Sequence, residues 1–181
     1  MLDICLESDG ACAVLVTSAE RAKDLRHTPV YIMSGANGGG ANQGDDLFDC
    51  LRWEDHSENY SAYIADDLWG GAGVGPEDVD VAEIYDCFTY SVVAQLEGLG
   101  FCLPGEGPDF IQGGRIARDG ALPLNTHGGL LSEAYIHGLN HVVEAVDQLR
   151  GDAGPRQIPG AEIALTTAGA MTVGSALVLR N

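Results

Sequence analysis

Two short stretches carry most of the side chains equipped for chemistry. "EIYDCF" places Tyr85, Asp86 and Cys87 where an apolar run gives way to a helical one, and "NTHGGLLSEAYIHG" spans Asn125 to Gly138 with His127, Tyr135 and His137, His141 following just beyond. His137 and His141 have the i, i+4 spacing of metal ligands on a helix, but Gly138 and Leu139 stand where an HExxH motif has its glutamate, so no metal is expected. Ser132 lacks the strand-to-helix GxSxG elbow of a hydrolase nucleophile. The glycine-rich "SGANGGGANQG" (Ser34 to Gly44) has no GK[ST] and reads as a flexible connector, not a phosphate cradle. What remains is a set of polar residues at strand ends, where α/β sheets bind ligands. Taken alone, these residues leave two readings open. One is a ligand site; the other is a pair of half-buried packing tyrosines, with Asn125 and its glycines forming a turn and helix cap.

Composition narrows the classes. The 181 residues are 45% hydrophobic and 20% charged, with 25 glycines spread through the chain, which describes a globular protein with a sizeable core. A formal charge of -18 and a single lysine, Lys23, argue against nucleic acid, because neutralising phosphates takes clustered Lys and Arg. Phosphate-rich ligands are expected to dock mostly on another segment or chain. Five cysteines without CxxC or metal spacing suggest small core residues and no disulfide framework. No apolar run approaches the roughly 20 residues of a membrane span, and the N-terminus lacks a secretory pattern, so the expected location is the cytoplasm.

The elements that must position these residues follow from periodicity. "GACAVLVTS" (Gly10 to Ser18) is an unbroken apolar run that predicts a strand buried on both faces and hence extensive association, with a short helix in "AERAKDLRH". "PVYIMS" predicts a strand entering the glycine loop, and His56 to Trp69 has helical spacing closed by glycines. "VDVAEIYDC" reads as a strand. "FTYSVVAQLEGLGF" reads as a helix with Phe88, Val92, Leu96 and Leu99 on one face. Tyr135 to Leu149 predicts an amphipathic helix closed by Gly151, and "EIALTTAG" and "TVGSALVLRN" predict two final strands. Strands alternating with helices imply an α/β layered fold.

The same blocks carry a resemblance. "VAEIYDCFTYS" resembles the thiolase signature Glu-x-Asn-Glu-Ala-Phe, "NTHGGLLSEAYIHG" resembles the later Asn-x-x-Gly-Gly loop leading to Gly-His-Pro, and "GAMTVGSALVL" resembles the last hairpin, where a catalytic cysteine precedes a glycine pair. With "SDGACAVLVTS" and "QLRGDAGPRQ", the similarity covers nearly the whole chain and is nearest to sterol-carrier-type thiolases and bacterial lipid-transfer proteins. It implies a thiolase-like layered fold, the C-terminal half, with a mixed sheet and helices on both faces. Residues 1–28 would end the first thiolase-like half and 29–181 would form the second. The missing first half, on the same or a separate chain, would bring the nucleophilic cysteine loop and much of the coenzyme A site.

The departures from that pattern carry the functional expectation. Tyr85 stands where the family has Asn or His, Tyr135 where it has the His of Gly-His-Pro, and the closing cysteine falls near Ala168. A phenol with an ordinary pKa of about 10 is a poor replacement for imidazole as a neutral-pH base, and alanine moves no proton, so Claisen chemistry is not expected. Retro-aldol cleavage of a β-hydroxyacyl thioester needs no acyl-enzyme, only a donor on the thioester oxygen and a group that relays protons, and a phenol both donates and accepts. The tyrosine pair resembles that of lipid-transfer-type aldolases that shorten steroid side chains as coenzyme A thioesters. By that resemblance Tyr85 and Tyr135 handle the proton and the enolate, His127 and Asp86 orient them, and Asn125, Gly128 and Gly129 lie against the ligand. No tightly bound cofactor is implied, since coenzyme A belongs to the substrate; an OB-fold partner protein and a homodimer are. A thiolase using Cys87, or a catalytically silent lipid-binding or scaffold subunit, are the other classes. Titratable residues at both changed positions favour the enzyme.

Overall fold

The computed structural model describes residues 3–43 and 49–181. Ser18 opens a single turn, α1 (Ala19–Ala22), by accepting the Arg21 N–H on its hydroxyl. There follow β1 (Tyr31–Gly39), α2 (Tyr60–Ala72), β2 (Val81–Glu83), α3 (Thr89–Gly98), α4 (Gly107–Phe110), α5 (Gly129–Ser132), α6 (Leu139–Arg150), β3 (Ile163–Ala170) and β4 (Val173–Arg180). The strands form one mixed sheet in the order β1-β4-β3-β2; β4 runs antiparallel to both its neighbours, while β2 and β3 are parallel.

Alternation along the strands sorts side chains to two faces. Ala82, Ile84, Leu165, Ala176 and Val178 meet Tyr60, Ile64 and Leu68 of α2 and Val92 and Leu96 of α3. Val81, Ala164 and Leu179 point the other way, against Ala145 and Leu149 of α6. Helices therefore cover both faces, as the expected layered α/β architecture requires. Asn59 caps α2 through its side chain, and Gly73 and Gly151 close α2 and α6 in the left-handed region.

Several local expectations are corrected. The glycine-rich stretch beginning at Ser34 is no connector as far as Gly39: it is the second half of β1, paired with β4, and Gly44 lies outside the described residues. The glycines serve close packing. A Cβ on Gly174, the β4 partner of Gly38, would come within 2.5 Å of the Tyr60 ring. The strand expected around Val81 is ladder-paired only over Val81–Glu83, and α3 leaves Phe88 52% exposed instead of on the core face. The long amphipathic helix starts at Leu139, not Tyr135, so Tyr135 and His137 belong to a loop. Among the described residues the run Gly10 to Ser18 pairs with no strand, and Leu15 is 89% exposed. An apolar strand is stable only with ladder neighbours on each side, and the four-stranded sheet offers this segment none. No helix among the described residues is long and apolar enough to cross a membrane.

Candidate active site

Tyr85 enters the site from the end of β2, and its backbone is fixed from two sides, β3 and α3. Its N–H donates to the Thr167 hydroxyl of β3 at 2.8 Å, while its carbonyl accepts the Gln95 amide of α3, also at 2.8 Å. The Gln95 oxygen in turn accepts the hydroxyls of Tyr60 and Thr167 at 2.8 and 2.7 Å, and its amide also reaches the Ser91 carbonyl. Every polar atom of this buried glutamine is thus engaged between α2, α3 and β3.

Tyr135 arrives by a different path. Asn125, at φ 50°, clamps the Ile84 backbone with its side chain, its oxygen accepting the Ile84 N–H at 2.7 Å and its amide donating to the Ile84 carbonyl at 2.9 Å. The chain then turns through Gly128 and Gly129 into α5. There the Asp86 carboxylate accepts the Leu130 and Leu131 N–H groups at 2.7 and 3.3 Å. Gly129 has φ 66°, and a Cβ on it would stand 2.7 Å from the Asp86 carboxyl carbon, so only glycine admits the carboxylate here. The segment continues past Ser132 to Tyr135, whose hydroxyl lies 2.8 Å from that of Tyr85.

The two phenols differ in setting. Tyr85 is buried, and burial, reinforced by the neighbouring Tyr135 hydroxyl, pushes its pKa well above the ordinary phenol value. Tyr135 is half-buried, and its ring meets the exposed His137 edge-on at 4.7 Å between centroids. The more accessible phenol is thus paired with one that resists ionisation.

Behind the pair lies a row of acids and imidazoles. Glu83 Oε2 is 3.0 Å from His127 Nδ1, His127 Nε2 is 3.2 Å from His141 Nδ1, and His141 Nε2 is 3.5 Å from Asp86 Oδ1. The first approach lies off the hydrogen-bond axis and the last is long, so neither end contact is a well-aligned hydrogen bond. Glu83, His127 and His141 have donor atoms within 4.8 Å of one another. His127 contacts both of the others directly, at 3.0 and 3.2 Å, so the three side chains form a compact set. Asp86 has its carboxyl held below the usual range: burial opposes this, and His141 with the Leu130 and Leu131 N–H groups outweighs it.

The structure thus brings together Tyr85, Tyr135, Asp86 and His127, all singled out in the sequence. Asn125 is occupied with the Ile84 backbone, and the close approach at Gly129 is to Asp86. His137 stands apart from His141: it is in the loop at φ 52° and exposed. Cys87 is buried, its thiol donates to the Ser91 hydroxyl at 3.5 Å, and burial raises its pKa, the opposite of an activated nucleophile. Sequence reasoning missed Glu83, Gln95 and Thr167. The usable signal was a polar residue at a position that periodicity assigns to the core, as with Glu83 between Ala82 and Ile84.

Residues 57–181 match the family described as thiolase C-terminal domain-like, and the chain belongs to that family. It is 45% identical over 179 residues to the 17-hydroxy-3-oxo-4-pregnene-20-carboxyl-CoA lyase of Mycobacterium tuberculosis, covering 99% of this chain and 46% of the relative. It is 42% identical to the steroid side-chain-cleaving aldolase of Thermomonospora curvata, covering 99% and 45%. Among solved structures, the Ltp2-ChsH2(DUF35) aldolase superposes with a TM-score of 0.94 at 41% identity, over 99% of this chain and 47% of that one. The chain spans about half the length of these relatives.

Proposed function

We propose that this chain carries the proton-handling half of an active site for retro-aldol cleavage of a β-hydroxyacyl-coenzyme A thioester, with a steroid side chain as the acyl group. The observation that carries the reading is the 2.8 Å contact between the Tyr85 and Tyr135 hydroxyls, at the two positions where the thiolase pattern has other polar residues. The names of the two relatives above, a carboxyl-CoA lyase and a side-chain-cleaving aldolase, support the same class of reaction.

The burial difference supports a division of roles. Tyr135, the more accessible phenol, relays a proton: its oxygen accepts the proton of the substrate's β-hydroxyl as its own O–H proton is handed on toward Cα. Tyr85 keeps its own proton and donates a hydrogen bond to the Tyr135 oxygen, steadying the partial negative charge that forms there as the Tyr135 proton departs. The Cα–Cβ bond then breaks, its electron pair passes into the thioester enolate, and the β-carbon leaves as a ketone. The proton released by Tyr135 completes Cα, giving the shorter acyl-coenzyme A, and Tyr135, now holding the substrate's former hydroxyl proton, is again a neutral phenol. The proton balance closes within the pair, so no acyl-enzyme and no redox partner are required. Coenzyme A is part of the substrate, and no separate tightly bound cofactor belongs to this reading.

The remaining thiolase-like half, on the same or a separate chain, supplies most of the coenzyme A contacts. An OB-fold partner protein and a second copy of the assembly complete the working unit. The exposed apolar run at Val14 to Val16 supports association of this kind, because an unpaired apolar segment is stabilised by ladder neighbours.

The test is product analysis by mass spectrometry on the full-length protein, co-expressed with its partners and given a tertiary β-hydroxyacyl-coenzyme A. The expected result is release of a ketone and a shorter acyl-coenzyme A, slowed roughly a hundredfold or more in Tyr135→Phe and Tyr85→Phe. Wild-type turnover in both variants would overturn the site. Cleavage of a β-ketoacyl-coenzyme A that depends on added free coenzyme A, with the hydroxyacyl ester left intact, would overturn the reaction class.

A further inference from the structure

The row Glu83, His127, His141, Asp86 poses a counting problem. Its three gaps, carboxylate to nitrogen, nitrogen to nitrogen and nitrogen to carboxylate, measure 3.0, 3.2 and 3.5 Å. Each gap sets an imidazole nitrogen against a carboxylate oxygen or a second nitrogen, and the two lone pairs repel unless a nitrogen carries a proton there, even where that proton lies off the contact axis as at Glu83. Two neutral imidazoles carry one N–H each, which fills two gaps and leaves the third repulsive. Whichever gap is left empty sets a buried carboxylate against an imidazole lone pair, or one imidazole lone pair against another, where water cannot relieve the contact. The side chains of Glu83 and His141 are fully buried and that of His127 is 5% exposed.

The surroundings press the same way. His127 is faced by Glu83 from β2, Glu133 from the end of α5 at 3.6 Å, the Asn140 amide from α6, and at longer range Glu144. His141 is faced by Asp86 and, edge-on, by the Tyr85 ring. Thr126 bridges the network: its hydroxyl lies 2.9 Å from Glu83 and 2.6 Å from Glu144, and it has one proton to give. Arg156 binds Glu144 at 2.7 Å and so balances one buried carboxylate, leaving Glu83 and Asp86 without a cation of their own among the described contacts.

We propose that His127 and His141 jointly hold one proton more than two neutral imidazoles, shared along the row between Glu83 and Asp86, and that Glu83 and His141 are thereby positioning residues for the tyrosine pair. The second clause rests on the function proposed above; the first does not. In support, the pKa of His127 lies above its ordinary value: burial alone would lower it, and Glu83, then Glu133 and Glu144, raise it. The positioning route is short. A proton on the His141 side attracts the ionised Asp86 carboxylate, which holds the Leu130 and Leu131 N–H groups of the turn that leads to Tyr135. Asp86 also directly follows Tyr85 in the chain, so one carboxylate spaces the two hydroxyls. When the extra proton leaves, the ionised Asp86 faces an imidazole lone pair, and the repulsion shifts the carboxylate that anchors the turn.

Magic-angle-spinning NMR of the full-length assembly carrying 15N-labelled histidine tests the proton count. At about pH 7.5, a unit above the ordinary histidine value, the His127 and His141 rings are expected to show three N–H protons between them. Two N–H protons at that pH would overturn the shared-proton claim without any variant being made. In Glu83→Gln the midpoint at which the third proton leaves is expected to fall by about a unit, a roughly tenfold loss of proton affinity, and the alkaline limb of kcat/KM is expected to move with it. A displaced midpoint with an unmoved rate profile would overturn the positioning role. Tyr135→Phe separates the two readings: the three-proton pattern is expected to survive while turnover falls, and full turnover in that variant would overturn the tyrosine function while leaving the proton count standing.

Discussion

Replacing Gln95 by leucine isolates what holds Tyr85 in place. Leucine is close in size, so the cavity term is small, but four hydrogen bonds of 2.7 to 2.8 Å disappear. The Ser91 carbonyl keeps its place in α3. The Tyr60 hydroxyl, in a fully buried side chain, and the Thr167 hydroxyl proton lose their acceptor, and the Tyr85 carbonyl loses its shortest donor. Leaving a buried polar group unpaired costs about 1–3 kcal/mol, so two full losses and one partial loss sum to about 3–5 kcal/mol. Urea denaturation of the assembled protein, followed by fluorescence of Trp53 and Trp69, measures this. Gln95→Glu sharpens the test: its second oxygen faces the Tyr85 and Ser91 carbonyls where an amide donated, so it should destabilise at neutral pH and recover toward acid as the carboxyl gains a proton. A leucine variant within about 1 kcal/mol of wild type would refute the claim that Gln95 anchors the site.

Other expected outcomes follow from the same geometry. Gly129→Ala forces a side chain into the left-handed region, at a cost of about 1–2 kcal/mol, and pushes the Asp86 carboxylate off the Leu130 N–H; turnover should fall by more than the melting temperature suggests, which a paired activity and calorimetry series would show. Arg156→Met strands the Glu144 carboxylate, which is 3% exposed. Because the Arg156 side chain is itself 44% exposed, the loss should be about 1–3 kcal/mol by chemical denaturation, below the full cost of breaking a buried pair. The pKa of Asp86 is depressed in the folded state, so its contribution to stability is present above the unfolded carboxylate value of about 4 and lost as pH falls through the folded value. Asp86→Asn should therefore reduce the acid sensitivity of the melting temperature on that side, at the price of lower stability near neutrality.

Much of the layout was legible in the chain. The periodicity around Tyr60 to Leu68, the stripe that became α6 and the two final apolar runs specify helices and strands locally, because the apolar period of a segment determines which secondary structure can bury it. Tyr85 and Tyr135 were legible as chemistry at strand and loop ends through their departure from the thiolase pattern. Their 2.8 Å meeting was not, since residues 50 positions apart carry no local signal of contact.

Where local reading erred, a tertiary contact had changed the meaning of the residues. Glycines between Ser34 and Gly39 suggest a loose connector, yet packing of α2 against the sheet makes smallness the requirement and β1 the result. A helix starting at Tyr135 satisfies the apolar period, but Gly138 at φ 86° starts it later and frees Tyr135 to point at Tyr85. By itself, the sequence determined which segments are apolar and with what period, and which side chains are able to move a proton. Only the tertiary structure decided that Gln95 would hold Tyr85, that Asp86 would hold the turn before Tyr135, and that two histidines would meet between two carboxylates. Those arrangements depend on distances across the fold, and burial makes each unpaired polar atom costly enough to choose among them.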